Sequence, residues 1–236
     1  MALILSLETT TKVCSVAVSE NDRLLALVES NDADYGHAEK LHVYIDQAIA
    51  EAGISLQQLN AVAVAGGPGS YTGLRIGVSA AKGLCFGLDI PLIAVDPLKA
   101  LALQFLNRKT TIGNSLVVPM IDARRDEVFM SVFDTALNET QGVSAEIITA
   151  DFFDSYQAEK IYLVGDGAPK FAEIFQGNDR VEVLTNCLAS AKSISVLAYE
   201  KFKQNNFVDL VYYEPFYGKE FKTTVSTKLN KIRPNQ

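Results

Sequence analysis

The chain has 236 residues, a formal net charge of −7, 48% hydrophobic and 21% charged residues. This is the make-up of a soluble globular protein, long enough for one large domain or two small lobes, and it excludes a disordered chain. The acidic balance argues against a protein that grips nucleic acid alone, since such a protein shows a basic face. No apolar run approaches the ~20 residues of a membrane helix. The opening Met-Ala-Leu-Ile-Leu-Ser-Leu-Glu lacks the basic region of a signal peptide. Cys14, Cys85 and Cys187 are far apart with no CxxC pair, so neither a disulfide framework nor a structural zinc is expected, and a reducing cytoplasm fits. Cys14 and Cys85 fall in apolar patterns and read as core thiols.

In chain order, residues 2–7 form a continuous apolar run, as in a buried strand. The polar turn Glu8-Thr9-Thr10-Thr11 follows, then strands at 14–19 and 23–29, a three-strand meander. Residues 37–52 repeat Leu41, Ile45, Ala48, Ile49 and Ala52 at helical spacing, and Gly53 stops the helix. A short buried strand at 61–65 runs into the glycine-rich stretch Gly-Gly-Pro-Gly-Ser-Tyr-Thr-Gly at 66–73. A helix over 74–86, a buried strand at 91–95 and a helix opened by Asp96-Pro97 follow. A second group of strands is expected at 116–122, 127–134 and 161–164, then Gly165-Asp166-Gly167-Ala168 and a helix over 193–205. A polar break at 102–115 marks the boundary, giving an N-terminal lobe 1–105, a C-terminal lobe 106–217 and a basic tail 218–236. The tail carries Lys219, Lys222, Lys228, Lys231 and Arg233, read mainly as a solvated charge run.

The glycine-rich stretch admits two readings. Glycines between a strand and a helix can turn backbone N–H groups toward an anion, or simply turn the chain tightly. The stretch lacks the Walker ending and is not G-x-G-x-x-G. His37 and His42, the only histidines, lie about 140° apart around a helix and are not expected to share a metal; both read as exposed residues of the helix start and flank. There is no Gly-x-Ser-x-Gly, and Ser70 has no identifiable base.

Residues 66–77 (Gly-Gly-Pro-Gly-Ser-Tyr-Thr-Gly-Leu-Arg-Ile-Gly) with 80–84 (Ala-Ala-Lys-Gly-Leu) closely resemble the signature of the TsaB (YeaZ-like) family. They resemble more distantly the matching stretch of TsaD. Residues 4–18 with Glu8-Thr9-Thr10, 122–129 (Asp-Ala-Arg-Arg-Asp-Glu-Val-Phe) and Pro215-Phe216-Tyr217 are similar to further blocks of the family. The resemblance implies a two-lobed α/β fold of the actin/Hsp70/sugar-kinase (ASKHA) type. It implies a non-catalytic scaffold subunit that binds TsaD, and with it the TsaE ATPase, for N6-threonylcarbamoylation of adenosine in tRNAs. The partners it implies are a second copy of the chain, a TsaD-like paralogue, TsaE, and tRNA through the complex only.

No cofactor and no metal are expected. The histidine pair of TsaD aligns with Pro97 and Leu101, and Thr9 stands where the superfamily's phosphate turn has glycine. Glu8, Thr9, Thr10, Gly66, Gly67 and Gly69 are thus expected to be a vestigial nucleotide site. The small residues Gly73, Gly77, Ala80 and Ala81, with Leu41 and Ile45, are expected at an association interface. The alternatives are a small-molecule kinase of the same superfamily and a metallopeptidase-like hydrolase.

Overall fold

The computed structural model describes residues 1–31, 36–109 and 113–219. The tail lysines beyond Lys219, and Thr110 and Thr111 of the expected boundary, fall outside these residues. In chain order the elements are β1 (Leu3–Glu8), β2 (Val13–Glu20), β3 (Arg23–Asn31), α1 (His37–Glu51), β4 (Ala61–Ala65), α2 (Tyr71–Leu88), β5 (Leu92–Val95) and α3 (Pro97–Leu106). Then come β6 (Ser115–Asp122), β7 (Glu127–Asp134), β8 (Glu139–Ile147), β9 (Lys160–Val164), β10 (Val181–Val183) and α4 (Ala191–Lys203). Two five-stranded sheets form, ordered β3-β2-β1-β4-β5 and β10-β9-β6-β7-β8. Each repeats one plan. A three-strand antiparallel meander is extended on its first strand by two parallel strands. The two-lobed ASKHA-type fold is therefore present, one sheet to a lobe.

The sheets are covered on both faces, which is why their strands read as unbroken apolar runs. Alternate residues of β1 and β4 point opposite ways. Leu5, Leu7, Val62 and Val64 pack under α1 and α2. Ile4, Ala61, Ala63 and Ala65 pack against Ile194 and Ala198 of α4. The alanines of β4 leave room for α4 to lie close. In the second lobe, Val117, Ile121, Phe129 and Phe133 meet Leu98, Leu101 and Phe105 of α3. The opposite face, with Val118, Met120, Met130 and Val132, is closed by Phe153, Phe171 and Phe175. The resulting stack is α1/α2, first sheet, α4, α3, second sheet, and a loop layer.

Caps set the helix starts. The Ser70 hydroxyl accepts from the Gly73 amide (3.3 Å), so Tyr71-Thr72-Gly73 is already helical and α2 starts earlier than expected. Asp96 caps α3 through the Leu98 amide (2.8 Å), with Pro97 in the first turn. Asp89, at φ 55°, ends α2.

Three expectations need correction. The lobes interleave: α3 was assigned to the first lobe but packs on the second sheet, while α4 returns from the second lobe to the first sheet. A cut at residue 105 therefore separates neither lobe cleanly. Strands β8 and β10 were not anticipated. The first is a polar edge strand whose residues are mostly exposed or half-buried, and the second has three residues. His37 is not exposed; it is buried at 1% exposure, with Nε2 2.8 Å from the Thr11 carbonyl oxygen. All three cysteines are buried and free. Among the described residues no helix is long and apolar enough to cross a membrane.

Leu98 is fully buried where α3 meets the second sheet. Leu98→Ala is expected to destabilise the protein by about 2–5 kcal/mol through transfer and cavity costs, read as a lowered urea midpoint at unchanged m-value.

Candidate functional site

The turn after β1 and the glycine-rich loop before α2 meet inside the first lobe. Glu8, Thr9, Thr10 and Thr11 are all at most 3% exposed. The Glu8 carboxylate turns back on its own turn and accepts from the Thr10 amide and the Thr10 hydroxyl, both at 2.6 Å. The Thr9 hydroxyl donates to the Gly73 carbonyl (2.8 Å), and the Ser70 amide donates to the Thr10 carbonyl (2.7 Å). Close approach explains the glycines. A Cβ at Gly73 would strike the Thr9 carbonyl, one at Gly77 the Thr9 hydroxyl, and one at Gly69 the Thr10 side chain and backbone. The Thr9–Thr10 turn thus packs on the first turn of α2 at Gly73, while Tyr71 and Thr72 stay exposed.

The second lobe faces this turn with β6 and the loop after β9. The Asp122 amide donates to Asp166 Oδ1 (3.2 Å). Lys170 Nζ donates to Asp122 Oδ1 (2.6 Å) and to the carbonyls of Arg125 (2.8 Å) and Glu127 (3.0 Å), bracing the β6–β7 turn. Gly167 donates its amide to the Met120 carbonyl (3.1 Å), and a Cβ there would press on Val128 and on the β6 backbone at Ile121 and Asp122. Burial pushes the Glu8 carboxyl up to about 7, against the lowering hydrogen bonds from Thr10 and with the nearby Asp166 adding to the rise. Burial likewise pushes Asp166 up to about 6; Asp122 raises it further and the Asp122 amide and Lys170 oppose. Among the described residues no group of three or more His, Cys, Asp or Glu is placed to hold a metal ion. Pro97 and Leu101 lie buried in α3, facing apolar neighbours.

The rest of the glycine loop receives the C-terminal segment. Phe216 donates its amide to the Gly66 carbonyl (2.8 Å), and a Cβ at Gly66 would strike the Tyr213 hydroxyl. Gly67 has φ +99°, and a Cβ there would also strike the Phe216 carbonyl, so only glycine suits the position. Sequence reasoning missed these partners, because nothing in the spacing of residues 66–73 signals a contact with residues 213–216.

The stripe of small residues on α2 divides in two. Gly73 and Gly77 face Thr9, and Ala81 is wholly buried in the first core beside Leu41 and Ile45. Leu41, Ile45, Gly73, Gly77 and Ala81, expected at an association interface, lie buried within the lobe, where the small size of the two glycines and the alanine serves packing. Only Ala80, 9% exposed, borders the outer surface. A groove of about 450 Å³ runs there between α1 and α2, lined by His42, Ile76, Ser79, Ala80, Gly83 and Leu84. Phe86 (83% exposed) and Val43 (59%) stand out on the same two helices, unusual exposure for large apolar side chains.

The geometry defines a two-lobed protein of the actin, Hsp70 and sugar-kinase type in which the turn after β1 packs on the glycine-rich loop and on α2. The family model for TsaD, tRNA N6-adenosine threonylcarbamoyltransferase, matches residues 28–217. The tRNA threonylcarbamoyladenosine biosynthesis protein TsaB of Escherichia coli is 30% identical over 224 residues, 91% of this chain and 93% of that protein. The protein of the same name from Haemophilus influenzae is 28% identical over 227 residues, 91% of this chain and 92% of that one. The solved structure of YeaZ from Pseudomonas aeruginosa superposes with a TM-score of 0.75 at 27% identity, covering 92% of this chain and all of that one. The chain belongs to the TsaB family.

Two outcomes test this reading of the site. A carboxyl whose folded pKa of about 7 exceeds its unfolded value near 4.5 holds its proton more tightly when folded. Its favourable contribution is complete below the unfolded value and is lost as the pH rises through the folded one. Urea denaturation at acidic and mildly alkaline pH should show stability falling with rising pH. Glu8→Gln should flatten that fall by on the order of 3–4 kcal/mol, leaving the smaller slope from Asp166. Gly77→Val should cost about 1–3 kcal/mol by overpacking against Thr9. A variant of unchanged stability would place Gly77 on an open face.

Proposed function

We propose that this chain is a non-catalytic subunit in tRNA threonylcarbamoyladenosine biosynthesis, acting by docking to a TsaD-like transferase. The family supports the pathway. The observation that carries the non-catalytic reading is the filled turn: Thr9 presses on the first turn of α2 where a nucleotide phosphate would need open amides. A kinase needs that space and an exposed acid, whereas Glu8 is 1% exposed and bonded to its own turn. A metallopeptidase needs ligands that Pro97 and Leu101 do not supply.

The docking surface proposed is the outer face of α1 and α2. It offers a groove with small walls at Ala80 and Gly83, flanked by the exposed Phe86 and Val43. A homologous chain carrying the same helix pair fits such a face, and so does a second copy, by an isologous contact. The two assemblies then compete. The tRNA joins through the transferase, since a chain of net charge −7 repels a polyanion, and the TsaE ATPase joins the same complex.

Ser79 is exposed on the groove and outside the core. Ser79→Arg is expected to leave the thermal midpoint unchanged. It should weaken both self-association, by analytical ultracentrifugation, and binding to the TsaD-like partner, by calorimetry, at least about tenfold. Glu8→Gln, with partner binding retained, should support tRNA modification in a reconstituted reaction at the native rate. A Glu8→Gln protein that binds its partner normally but abolishes modification would overturn the non-catalytic reading.

A further inference from the structure

We propose that the glycine-rich loop is a binding cradle for the chain's own segment 208–219, and that this seated segment is the clasp that holds the two lobes together. The segment leaves α4, makes a single bridge from Val208 to Leu92 at the edge of the first sheet, and then runs antiparallel along α2. Lys82 Nζ donates to the carbonyls of Val211 (3.0 Å) and Tyr213 (3.2 Å). Further along, Tyr217 packs on Tyr71, with ring centroids 4.8 Å apart.

Between these anchors the segment enters the loop. The Phe216 amide donates to the Gly66 carbonyl at 2.8 Å. The Tyr213 ring lies where a side chain at position 66 would project, and the Phe216 carbonyl where one at position 67 would. The ligand of the two leading glycines is therefore an extended aromatic peptide, held by its backbone, with no phosphate needed to account for them.

The segment then crosses to the other lobe. Gly218, at φ +74°, is wedged between Pro68 of the glycine loop and the Phe129 ring of β7. A side chain there would be strained and would strike both walls. Lys219 closes the clasp on the second lobe: it pairs with Glu127, lies 3.4 Å from the Ala123 carbonyl and sits 5.3 Å from the centroid of the Phe129 ring. One short stretch thus touches β5, α2, the glycine loop, the β6–β7 turn and β7.

The test is hydrogen exchange by mass spectrometry on the full chain, comparing the native protein with Lys219→Met and Gly67→Ala. Lys219→Met keeps the apolar stem and removes only the tie to the second lobe. It should speed exchange in residues 120–128 and 164–170 about tenfold, through more frequent local opening, while residues 213–217 and the first-sheet strand 61–65 stay protected. Gly67→Ala should unseat the segment, so that residues 213–217 lose protection together with 120–128 and 164–170. Unchanged exchange at 120–128 and 164–170 in Lys219→Met would overturn the clasp. Retained protection at Phe216 in Gly67→Ala would overturn the cradle. Should Gly67→Ala unfold, Lys219→Met decides the clasp, and Tyr213→Ala, which empties the space over Gly66, replaces it as the test of the cradle.

Discussion

The structure of the first lobe depends on one close approach, that of the Thr9–Thr10 turn to the N-terminus of α2. Two hydrogen bonds hold it, Thr9 hydroxyl to Gly73 carbonyl and Ser70 amide to Thr10 carbonyl. Glycines 73 and 77, one helical turn apart, remove the side chains that would prevent it. Buried polar groups are tolerated only when paired, and the turn meets that condition within itself: Glu8 accepts from Thr10, and Thr9 donates to the helix. The approach fixes the angle at which α2 leaves the loop. It therefore fixes which residues of α2 face inward, such as Gly77 and Ala81, and which line the outer groove, such as Ser79 and Gly83.

The same approach settles the character of the interlobe region. In a phosphate-binding turn the backbone stays open and the helix amides stay free. Here the Thr9–Thr10 turn packs on Gly73 and Gly77, with Glu8 buried and Asp166 half-buried nearby. Burial raises both toward protonation. The region is then an internal contact between lobes, braced by Lys170 on one side of the β6–β7 turn and Lys219 on the other. Helix α2 carries both consequences, since one of its faces borders the groove while Tyr71 and Lys82 hold the C-terminal segment.

Much of the fold was legible in residue patterns. The meander of β1 to β3, the helical spacing of Leu41, Ile45, Ala48 and Ile49, and the Asp96-Pro97 helix start each rest on local chemistry that short stretches carry in full. Strand β8 was not legible because none of its residues is fully buried, so its sequence carries no apolar–polar alternation. Strand β10 was too short to show any. The burial of His37 depends on the Thr11 carbonyl, twenty-six positions away, and no window around residue 37 contains that information. The contact of Gly73 and Gly77 with Thr9 was not legible for a related reason. A small residue permits close contact, but its identity does not say with what.

The sequence by itself therefore determined the family and most of the strands and helices, because these are properties of residue type in chain order. Only the tertiary structure decided which lobe α3 and α4 serve, which small residues face inward, and what fills the glycine loop. Those are contacts between segments far apart in the chain, such as Thr9 with Gly73 and Gly66 with Phe216. They arise when two sheets, each apolar on both faces, bury those faces against helices drawn from either half of the chain. No local pattern encodes that exchange, since each helix carries a face to bury but nothing in it names the sheet that face will meet.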